Sequence, residues 1–329
     1  MKNIILGVLL TTVISFFTSC ENNGSVMLPS ATGKAGEVLI VIDKQVWENS
    51  VGEKFQEILL DEYPLLPIAE PLFDPINIPN QAFASIFKTH RNIIMVHISD
   101  SVRKNKITIQ ENLWAETQLI ITVTAKSETE MIKLLDENKI SLIENLEKAE
   151  RDRIILNYKQ YEKREIGEKL RKNHNISLVV PAGYIVDIDT SNFIWISHET
   201  PMISQGILIY YYDYTDTNTF TVDYLVKQRN KFLKQNVPGP TDGSYMITAT
   251  ELQPELREFM LNNKYTAELR GLWEVENDFM GGPFISFSTV DEKRNRIVTV
   301  DTYVYAMKYN KRNYIRQLEA ILYSLQVVD

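Results

Sequence analysis

The sequence predicts an α+β protein with two α/β-type sandwich domains joined by a long helical segment, the second domain having a mainly antiparallel sheet. Three observations lead to this prediction. Apolar strands alternate with an amphipathic helix over residues 36–125, a proline-free and highly charged stretch occupies 126–173, and short strands separated by turn residues fill most of 174–329. With 329 residues, 44% of them apolar and 24% charged, the chain is long enough for two domains of ordinary size.

The first nineteen residues, 1–19, have the pattern of a secretory signal peptide. Lys2 provides a positive charge, an uncharged apolar run covers 4–17, and the small residues Thr18 and Ser19 close the segment. A membrane-spanning helix needs about twenty apolar residues, so this run is too short to be a stable transmembrane anchor. We therefore expect the segment to be cleaved from the protein.

Cys20 is the only cysteine of the chain, and it stands at the expected cleavage site. An exported protein that uses cysteines structurally needs a pair, so a structural disulfide within the chain is excluded. The stretch "FTSC" resembles the lipobox of bacterial lipoproteins, with Phe17 in place of the usual leucine. The resemblance implies that Cys20 becomes the N-terminus and carries fatty acyl chains such as palmitate, two or three of which give stable anchoring. A signal peptide followed by a chance cysteine is the alternative.

Residues 20–35 are predicted to form a flexible tether, because small and polar residues dominate and no apolar periodicity is present. The 35 basic and 43 acidic residues give a net charge of −8. Without a basic excess the chain has little to attract phosphates, so nucleic acid is not an expected partner. The expected partners are membrane lipid, through acylated Cys20, and an envelope protein or a glycan.

The N-terminal domain is predicted over 36–125. "GEVLIVID" is a continuous apolar strand, an amphipathic helix follows it, and "RNIIMVHIS" and "TQLIITVTA" are two further strands. The stretch 64–79 carries five prolines, so it is predicted to be an extended loop rather than a helix or a central strand.

The segment 126–173 is predicted to form one or two long helices, with breaks near Asn138 or Gly167. Acidic residues precede basic ones by four positions at several places, which is the favourable order on a helix, and apolar residues recur every seven positions from Leu135 to Leu156. A helical arm packed over both domains is the first interpretation. A coiled-coil dimer is the alternative.

The C-terminal domain is predicted over 174–329. Three strands are expected before residue 215, then a helix over 221–235 and a short helix beginning at Pro254. A three-stranded meander over 265–276, 283–290 and 296–306 and a last helix over 311–326 complete the domain. An antiparallel sheet covered by helices buries the apolar faces of these elements.

Several stretches of the chain, together with the lipobox, resemble an uncharacterised lipoprotein family of the Bacteroidota, a domain of unknown function. The stretches are "GKAGEVLIVID", "LPIAEP", "HRNII", "ENLWAETQLI", "RGLWEVENDFMGGPF" and "TYVYAMKYNKRNYIRQLEAI". The resemblance implies an envelope lipoprotein, lipid-anchored to the outer membrane, and provides no catalytic residues. The ends of the C-terminal domain, "VPAGY" and "QLEAILYSL", are also similar to the sandwich of the photosystem II extrinsic protein P.

A search for catalytic motifs gives mostly negative results. The sequence contains no G-x-S-x-G elbow, no H-E-x-x-H and no G-x-x-x-x-G-K, so no metal or cofactor is expected. His90 and His97 are seven residues apart, which would place them on opposite faces of a strand and disfavours a shared metal ion. Enzymatic activity stays open, with a non-catalytic protein favoured.

A polar and aromatic cluster over 268–279 provides the candidate binding groove. Its members are Glu268, Arg270, Trp273, Glu274, Asp278 and Phe279. On a strand, Glu268, Arg270 and Glu274 share one face while Trp273 lies on the other. The structural interpretation is an amphipathic strand with its charges in water. The functional one is a groove for a glycan or peptide.

Two functions follow as hypotheses. The first is a lipid-anchored, non-catalytic module of the cell envelope that binds an envelope protein or a glycan. The second is an envelope hydrolase that acts on glycan or peptide through carboxylates near 268–278, which would require a defined carboxylate separation. In addition, "DSV" over 100–102 is similar to an O-glycosylation sequon of Bacteroidota, which predicts a glycan on Ser101, although so short a pattern also arises by chance.

Overall fold

The structure is a computed structural model that describes residues 27–328. The predicted signal peptide over 1–19, the predicted lipidation residue Cys20 and the first part of the tether lie outside the described residues. Within them, a mixed α+β architecture with two large sheets confirms the predicted fold class.

The first unit is built on a five-stranded sheet with the order β2-β1-β3-β5-β4. Three of its four strand pairings are parallel, and the fourth, between β4 and β5, is antiparallel. The elements in chain order are β1 (Glu37–Val41), α1 (Lys44–Trp47), α2 (Ser50–Leu59), β2 (Asp74–Ile78), α3 (Ser85–Lys88), β3 (Asn92–Ile98), β4 (Lys106–Glu111) and β5 (Leu119–Ala125). Strands β1, β3 and β5 confirm the three predicted apolar strands.

The proline-rich stretch 64–79 is only partly the loop that the sequence predicts. Its last part forms β2, an edge strand parallel to β1. Pro75 is tolerated there because an edge strand has one side on which no ladder hydrogen bond is needed. The expectation that this stretch is not a central strand is confirmed.

The helical connector follows as α4 (Glu128–Glu137), α5 (Lys139–Gln160) and α6 (Arg164–Lys169). Ser127 caps α4 by accepting a hydrogen bond from the backbone of Glu130, and the break near Asn138 separates α4 from α5 as predicted. Helix α5 packs against α2 of the first unit and against the last helix of the second unit, which agrees with an arm over both domains. The closest i, i+4 ion pair of this helix is Lys148–Asp152, in which the basic residue comes first. The sequence instead predicts pairs in which the acidic residue comes first.

The second unit contains an eight-stranded antiparallel sheet. Its strand order is β10-β12-β13-β14-β9-β8-β7, and β11 also pairs with β12. The elements are β6 (Ile176–Ser177), β7 (Ile185–Asp189), β8 (Phe193–Glu199), β9 (Ser204–Asp213), α7 (Val222–Asn236), β10 (Met246–Thr248), β11 (Glu255–Leu261), β12 (Lys264–Val275), β13 (Gly281–Asp291), β14 (Arg296–Tyr305), α8 (Arg312–Tyr323) and β15 (Gln326–Val327). β6 and β15 form a separate two-stranded sheet.

Helices cover both faces of the large sheet, because neighbouring residues of each strand point to opposite sides. Leu208 and Tyr210 of β9 pack with Phe232 of α7 on one face. Ile207 and Ile209 pack on the other face, in the core that also contains α8. The predicted antiparallel sandwich is thereby confirmed.

The prediction of a short helix beginning at Pro254 is wrong. Residues 255–261 form strand β11, which makes a hairpin with β12 through the two-residue turn Asn262-Asn263. Both asparagines have positive φ, 50° and 63°, which is the backbone that a two-residue hairpin turn requires. Asparagine tolerates this conformation better than most residues, so "NNK" was the missed turn signal.

Buried polar contacts join the second unit to the first at the N-terminus of α8. Glu70 is 6% exposed and accepts hydrogen bonds from the backbone N–H groups of Lys311 at 2.5 Å and Arg312 at 3.0 Å. A carboxylate from one unit therefore caps a helix of the other. The Arg312 side chain donates to the Pro71 carbonyl and to Asp74. Among the described residues, no helix has the length and apolar character needed to cross a membrane.

Candidate functional site

Two concave sites flank strand β12, one on each face of the large sheet. We call the first the charged cleft. It has a volume of about 400 Å³ and lies between the first unit, α5 and the second unit. Its lining residues are Pro64, Glu144, Glu147, Lys148, Arg151, Glu255, Leu256, Arg257, Glu268, Arg270, Glu319 and Tyr323.

Arg270 is the centre of the hydrogen-bond network in the charged cleft. Its guanidinium donates to Glu268 on the same strand, to Glu319 of α8 at 2.5 Å and to the Tyr63 hydroxyl of the first unit at 3.2 Å. Glu268 also accepts from Arg257 at 2.5 Å. Because these residues come from both units, the network ties the two units together at the floor of the cleft.

The network separates the protonation behaviour of two neighbouring glutamates. Burial and the nearby charge of Glu319 raise the pKa of Glu147, although Arg316 and Arg270 oppose this. Burial also acts to raise the pKa of Glu319, but Arg270, Arg151 and Arg316 outweigh it and hold the pKa below its usual range. Such a pair, one carboxyl with a raised pKa and one with a lowered pKa, is a pattern found at acid–base sites.

Glu268 is poorly suited to any proton transfer. Its side chain is 1% exposed, and both of its oxygens accept hydrogen bonds from arginines. Removing one partner from such a pair leaves a buried charge without compensation, so the arrangement is strongly structural. Glu268 therefore holds Arg270 in place rather than facing a ligand.

We call the second site the aromatic pocket. It has a volume of about 430 Å³ and lies at one end of the large sheet. Its lining residues are Trp195, Glu199, Thr200, Pro201, Met202, Ile203, Ser204, Val237, Pro238, Gly239, Pro240, Met246, Trp273, Val275, Met280, Tyr303 and Tyr305. Pockets of this size hold small ligands or single large side chains.

Antiparallel pairing explains why these residues meet. Glu199 at the end of β8 is paired with Ser204 at the start of β9, which is paired with Tyr305 at the end of β14. Glu274 near the end of β12 is likewise paired with Gly281 at the start of β13. The loops next to these strand ends therefore lie together at one end of the sheet.

Two glycines make room for the aromatic rings of the pocket. A Cβ atom at Gly206 would lie 1.9 Å from the ring of Tyr303, and a Cβ at Gly282 would lie 2.1 Å from the carbonyl of Val304. That same carbonyl accepts a hydrogen bond from the indole of Trp273 at 3.2 Å. Trp273 and Tyr303 are thus fixed as the buried floor of the pocket, with ring centroids 5.6 Å apart in an edge-to-face arrangement.

The charge in the aromatic pocket is negative. Among the described residues that line it, Glu199 is the only charged side chain, and its carboxylate accepts a hydrogen bond from Ser204 at 2.5 Å. Burial raises the pKa of Tyr303, and the carboxylates of Glu199 and Asp187 add to this effect. The floor of the pocket therefore experiences negative charge from two acidic side chains.

The structure does not bring the six predicted groove residues into one groove. Glu268 and Arg270 line the charged cleft, while Trp273 is 2% exposed on the opposite sheet face and lines the aromatic pocket. Asp278 accepts hydrogen bonds from the backbone of the turn, and the side chain of Phe279 is fully exposed beside the pocket. The remaining member, Glu274, is half-buried in β12.

Sequence reasoning missed most of the residues that complete both sites. The missed residues are Glu147 and Glu319 of the charged cleft and Trp195, Tyr303 and Tyr305 of the aromatic pocket. The alternation of "FIWISHE" and "TYVYA" gives the sheet face of the three aromatic residues, but it does not show that β8 and β14, which both flank β9, end at the same end of the sheet. The remaining predicted residues lie elsewhere: Ser101 is exposed in a turn, and the lipidation residue Cys20 is outside the described chain.

The two histidines of the only close pair in the sequence lie in different surroundings. His90 is buried and contacts Glu37 at 3.4 Å, while His97 is exposed in β3. Within residues 27–328, no group of three or more His, Cys, Asp or Glu side chains is arranged to hold a metal ion.

The comparisons with known proteins give two family matches. Residues 31–159 match the model of a domain of unknown function (DUF8532), and residues 163–324 match another domain of unknown function (DUF4837). Both matches fit an uncharacterised domain family. The two matched ranges meet within the helical connector, between α5 and α6. No curated protein matches the chain.

Solved structures of Mog1 are similar to part of the chain. The Ran-binding protein Mog1p of Saccharomyces cerevisiae is 12% identical over 48% of this chain and 93% of its own, with a TM-score of 0.33. A point mutant of Mog1 is 12% identical over 47% of this chain and 92% of its own, with a TM-score of 0.31. At these values the likeness bears on neither the function nor the partners of this chain.

Proposed function

We propose that this chain is a lipid-anchored, non-catalytic binding module of the bacterial cell envelope, and that the aromatic pocket is its ligand site. The observation that supports the site is the convergence of four aromatic side chains, Trp195, Trp273, Tyr303 and Tyr305, in a pocket of about 430 Å³. Such pockets, mainly apolar with few polar groups, are the usual form of a ligand site.

The surroundings of the pocket also favour binding to another molecule. Phe279 is fully exposed, Met307 is 65% exposed and Met202 is 37% exposed, and all three lie in loops at the same end of the sheet. Exposed apolar side chains that are grouped around a pocket mark interaction surfaces. Methionines suit such a surface because their flexible side chains adapt to a partner.

The proposed anchor is an acylated Cys20 that attaches the body to the outer membrane through the first part of the predicted tether. The last part is not a free tether, because Pro29 and Thr32 hydrogen-bond to the backbone of the first unit. It is supported by the apolar run, by the lipobox-like "FTSC" and by the absence of a second cysteine. Replacing Cys20→Ser should release the protein from the membrane fraction and abolish incorporation of labelled palmitate. Unchanged partitioning of the variant would show that the anchor lies elsewhere.

The ligand site is tested by chemical crosslinking in the native envelope followed by mass spectrometry. A rim variant with Phe279→Ser and Met202→Ser removes exposed apolar side chains beside the pocket without touching the core. Met260→Ser is the matched control, since Met260 is 64% exposed in β11, away from the pocket. We expect the rim variant to lose a crosslinked species that the control retains; equal recovery in both would remove the support for this site.

The second candidate function is a hydrolase acting on glycan or peptide in the charged cleft. The opposed pKa shifts of Glu147 and Glu319 favour it, since acid–base hydrolysis uses two carboxyls that differ in proton affinity. Turnover of peptidoglycan fragments or of a denatured protein should then fall at least about a hundredfold in Glu147→Gln. Glu168→Gln, which alters an exposed carboxylate of α6 outside the cleft, is the control. No turnover by the wild type would eliminate this candidate.

A further inference from the structure

The aromatic pocket combines aromatic rings with a single negatively charged side chain among the described residues that line it. Trp273 lies 5.6 Å from Tyr303 and 6.3 Å from Tyr305, measured between ring centroids, so the three rings form one compact group. Glu199 stands at the end of β8 at the edge of this group. No lysine or arginine is among the described residues that line the pocket.

This combination matches the chemistry of an organic cation. An ammonium group within about 6 Å of an aromatic centroid is attracted by the ring quadrupole, most strongly by tryptophan. The carboxylate of the exposed Glu199 adds a direct charge attraction at the edge of the rings. An anionic ligand would be repelled by Glu199, because no lysine or arginine is among the described residues that line the pocket.

The apolar walls restrict the cation further. The aliphatic part of the pocket lining includes Met246, Met280, Pro238 and Val275. A lysine side chain places an ammonium at the end of a four-carbon apolar stem, which can bury its methylenes against such walls. An ethanolamine lipid headgroup carries a phosphate two carbons from its ammonium, and that phosphate would be repelled by Glu199.

From this geometry we propose that the aromatic pocket binds the side chain of a lysine on a partner protein. The inference rests on the proposed function and adds the chemistry of the ligand. The ammonium lies between the aromatic rings and Glu199, the stem lies along the methionine and proline walls, and the exposed Phe279 and Met202 contact the partner surface around the lysine.

Three small probes test the inference on the folded chain. They are N-acetyl-lysine methylamide, N-acetyl-norleucine methylamide, which has the same carbon stem without the amino group, and phosphoethanolamine. Methyl-labelled methionine NMR reports where each probe binds, because Met246 and Met280 line the pocket while Met260 lies outside it. The lysine probe should shift the Met246 and Met280 signals, leave Met260 unchanged, and bind about fivefold or more tighter than the norleucine probe.

Glu199→Gln separates the charge from the shape of the pocket. The lysine probe should lose most of its advantage over norleucine in this variant and keep it in Glu292→Gln, which alters an exposed carboxylate outside the pocket. Equal or tighter binding of norleucine at the pocket would overturn the lysine assignment while leaving an apolar ligand site. Binding of phosphoethanolamine as tight as that of the lysine probe would overturn the assignment to a protein side chain.

The proposed function and this inference fail in different ways. If the rim variant loses its crosslinked species but the lysine probe shows no preference over norleucine, the site stands and its ligand is not a lysine. If the rim variant loses nothing and no probe shifts the signals of Met246 and Met280, both proposals are overturned.

Discussion

Replacing Glu70→Gln tests whether the two units are held together through the N-terminus of α8. The carboxylate of Glu70 is buried and accepts from the backbone N–H groups of Lys311 and Arg312, one on each oxygen. A glutamine retains one carbonyl oxygen, so one of these two donors then faces the amide NH₂ group and has no acceptor. The variant also loses the negative charge at the positive end of the helix.

The expected loss of stability follows from these two changes. A buried donor left without an acceptor costs about 1–3 kcal/mol. Loss of a charge at a helix N-terminus costs about 0.3–1 kcal/mol more. The free energy of unfolding should therefore fall by about 1.3–4 kcal/mol, measured by urea denaturation with circular dichroism. Glu62→Gln, an exposed carboxylate in the same loop region, is the control and should change stability by less than about 0.5 kcal/mol. A Glu70→Gln variant as stable as this control would refute the role of Glu70 as a cap between the units.

Two further predictions concern buried charges in the second unit. The side chain of Asp301 is 0% exposed and is paired with Arg229 at 2.6 Å, so Arg229→Met leaves a buried carboxylate without compensation and should lower the free energy of unfolding by about 3–5 kcal/mol. The double variant Arg229→Met with Asp301→Leu should recover much of this loss in the same denaturation assay. A double variant no more stable than Arg229→Met would contradict the explanation. Hydrogen bonds from Lys169 and His174 hold the pKa of Asp189 below its usual value near 3.8 despite partial burial. A lowered folded-state pKa stabilises the fold above the unfolded-state pKa and loses this effect as pH falls through the folded-state value. The wild type should therefore be more stable than Asp189→Asn at pH 6 and lose that advantage as the pH falls below the usual value near 3.8 and through the lowered folded-state pKa. An advantage independent of pH would contradict the assignment.

The sequence was sufficient for those parts of the fold in which local pattern decides the structure. The apolar strands of the first unit, the helix of α7, the meander and the last helix all follow from periodicity and turn residues. Prediction from the sequence failed for strands that lack a clear apolar pattern or turn signal. Strand β4 (Lys106–Glu111) is mostly exposed and lacks the apolar run of a buried strand, and β11 (Glu255–Leu261) was hidden because its Asn262-Asn263 turn was not recognised.

The candidate sites depend on contacts that no local pattern contains. The alternation of β12 correctly puts Arg270 and Trp273 on opposite faces, but it does not show which face holds a site, and the structure has one on each. Arg270 meets Tyr63 and Glu319, which are far from it in the sequence. The aromatic pocket forms because the order of strands in the sheet places the ends of β8, β12 and β14 close together.

Site-specific photocrosslinking at the rim of the aromatic pocket tests most directly whether the chain holds a partner protein there. A photoreactive phenylalanine analogue in place of Phe279, whose side chain is fully exposed, should give a covalent adduct with one protein in the native envelope. The adduct should be lost in Glu199→Gln and persist in Glu292→Gln. The same analogue at Met260 should give no such adduct. An adduct at Met260 and none at Phe279 would contradict the proposal that the aromatic pocket is the ligand site.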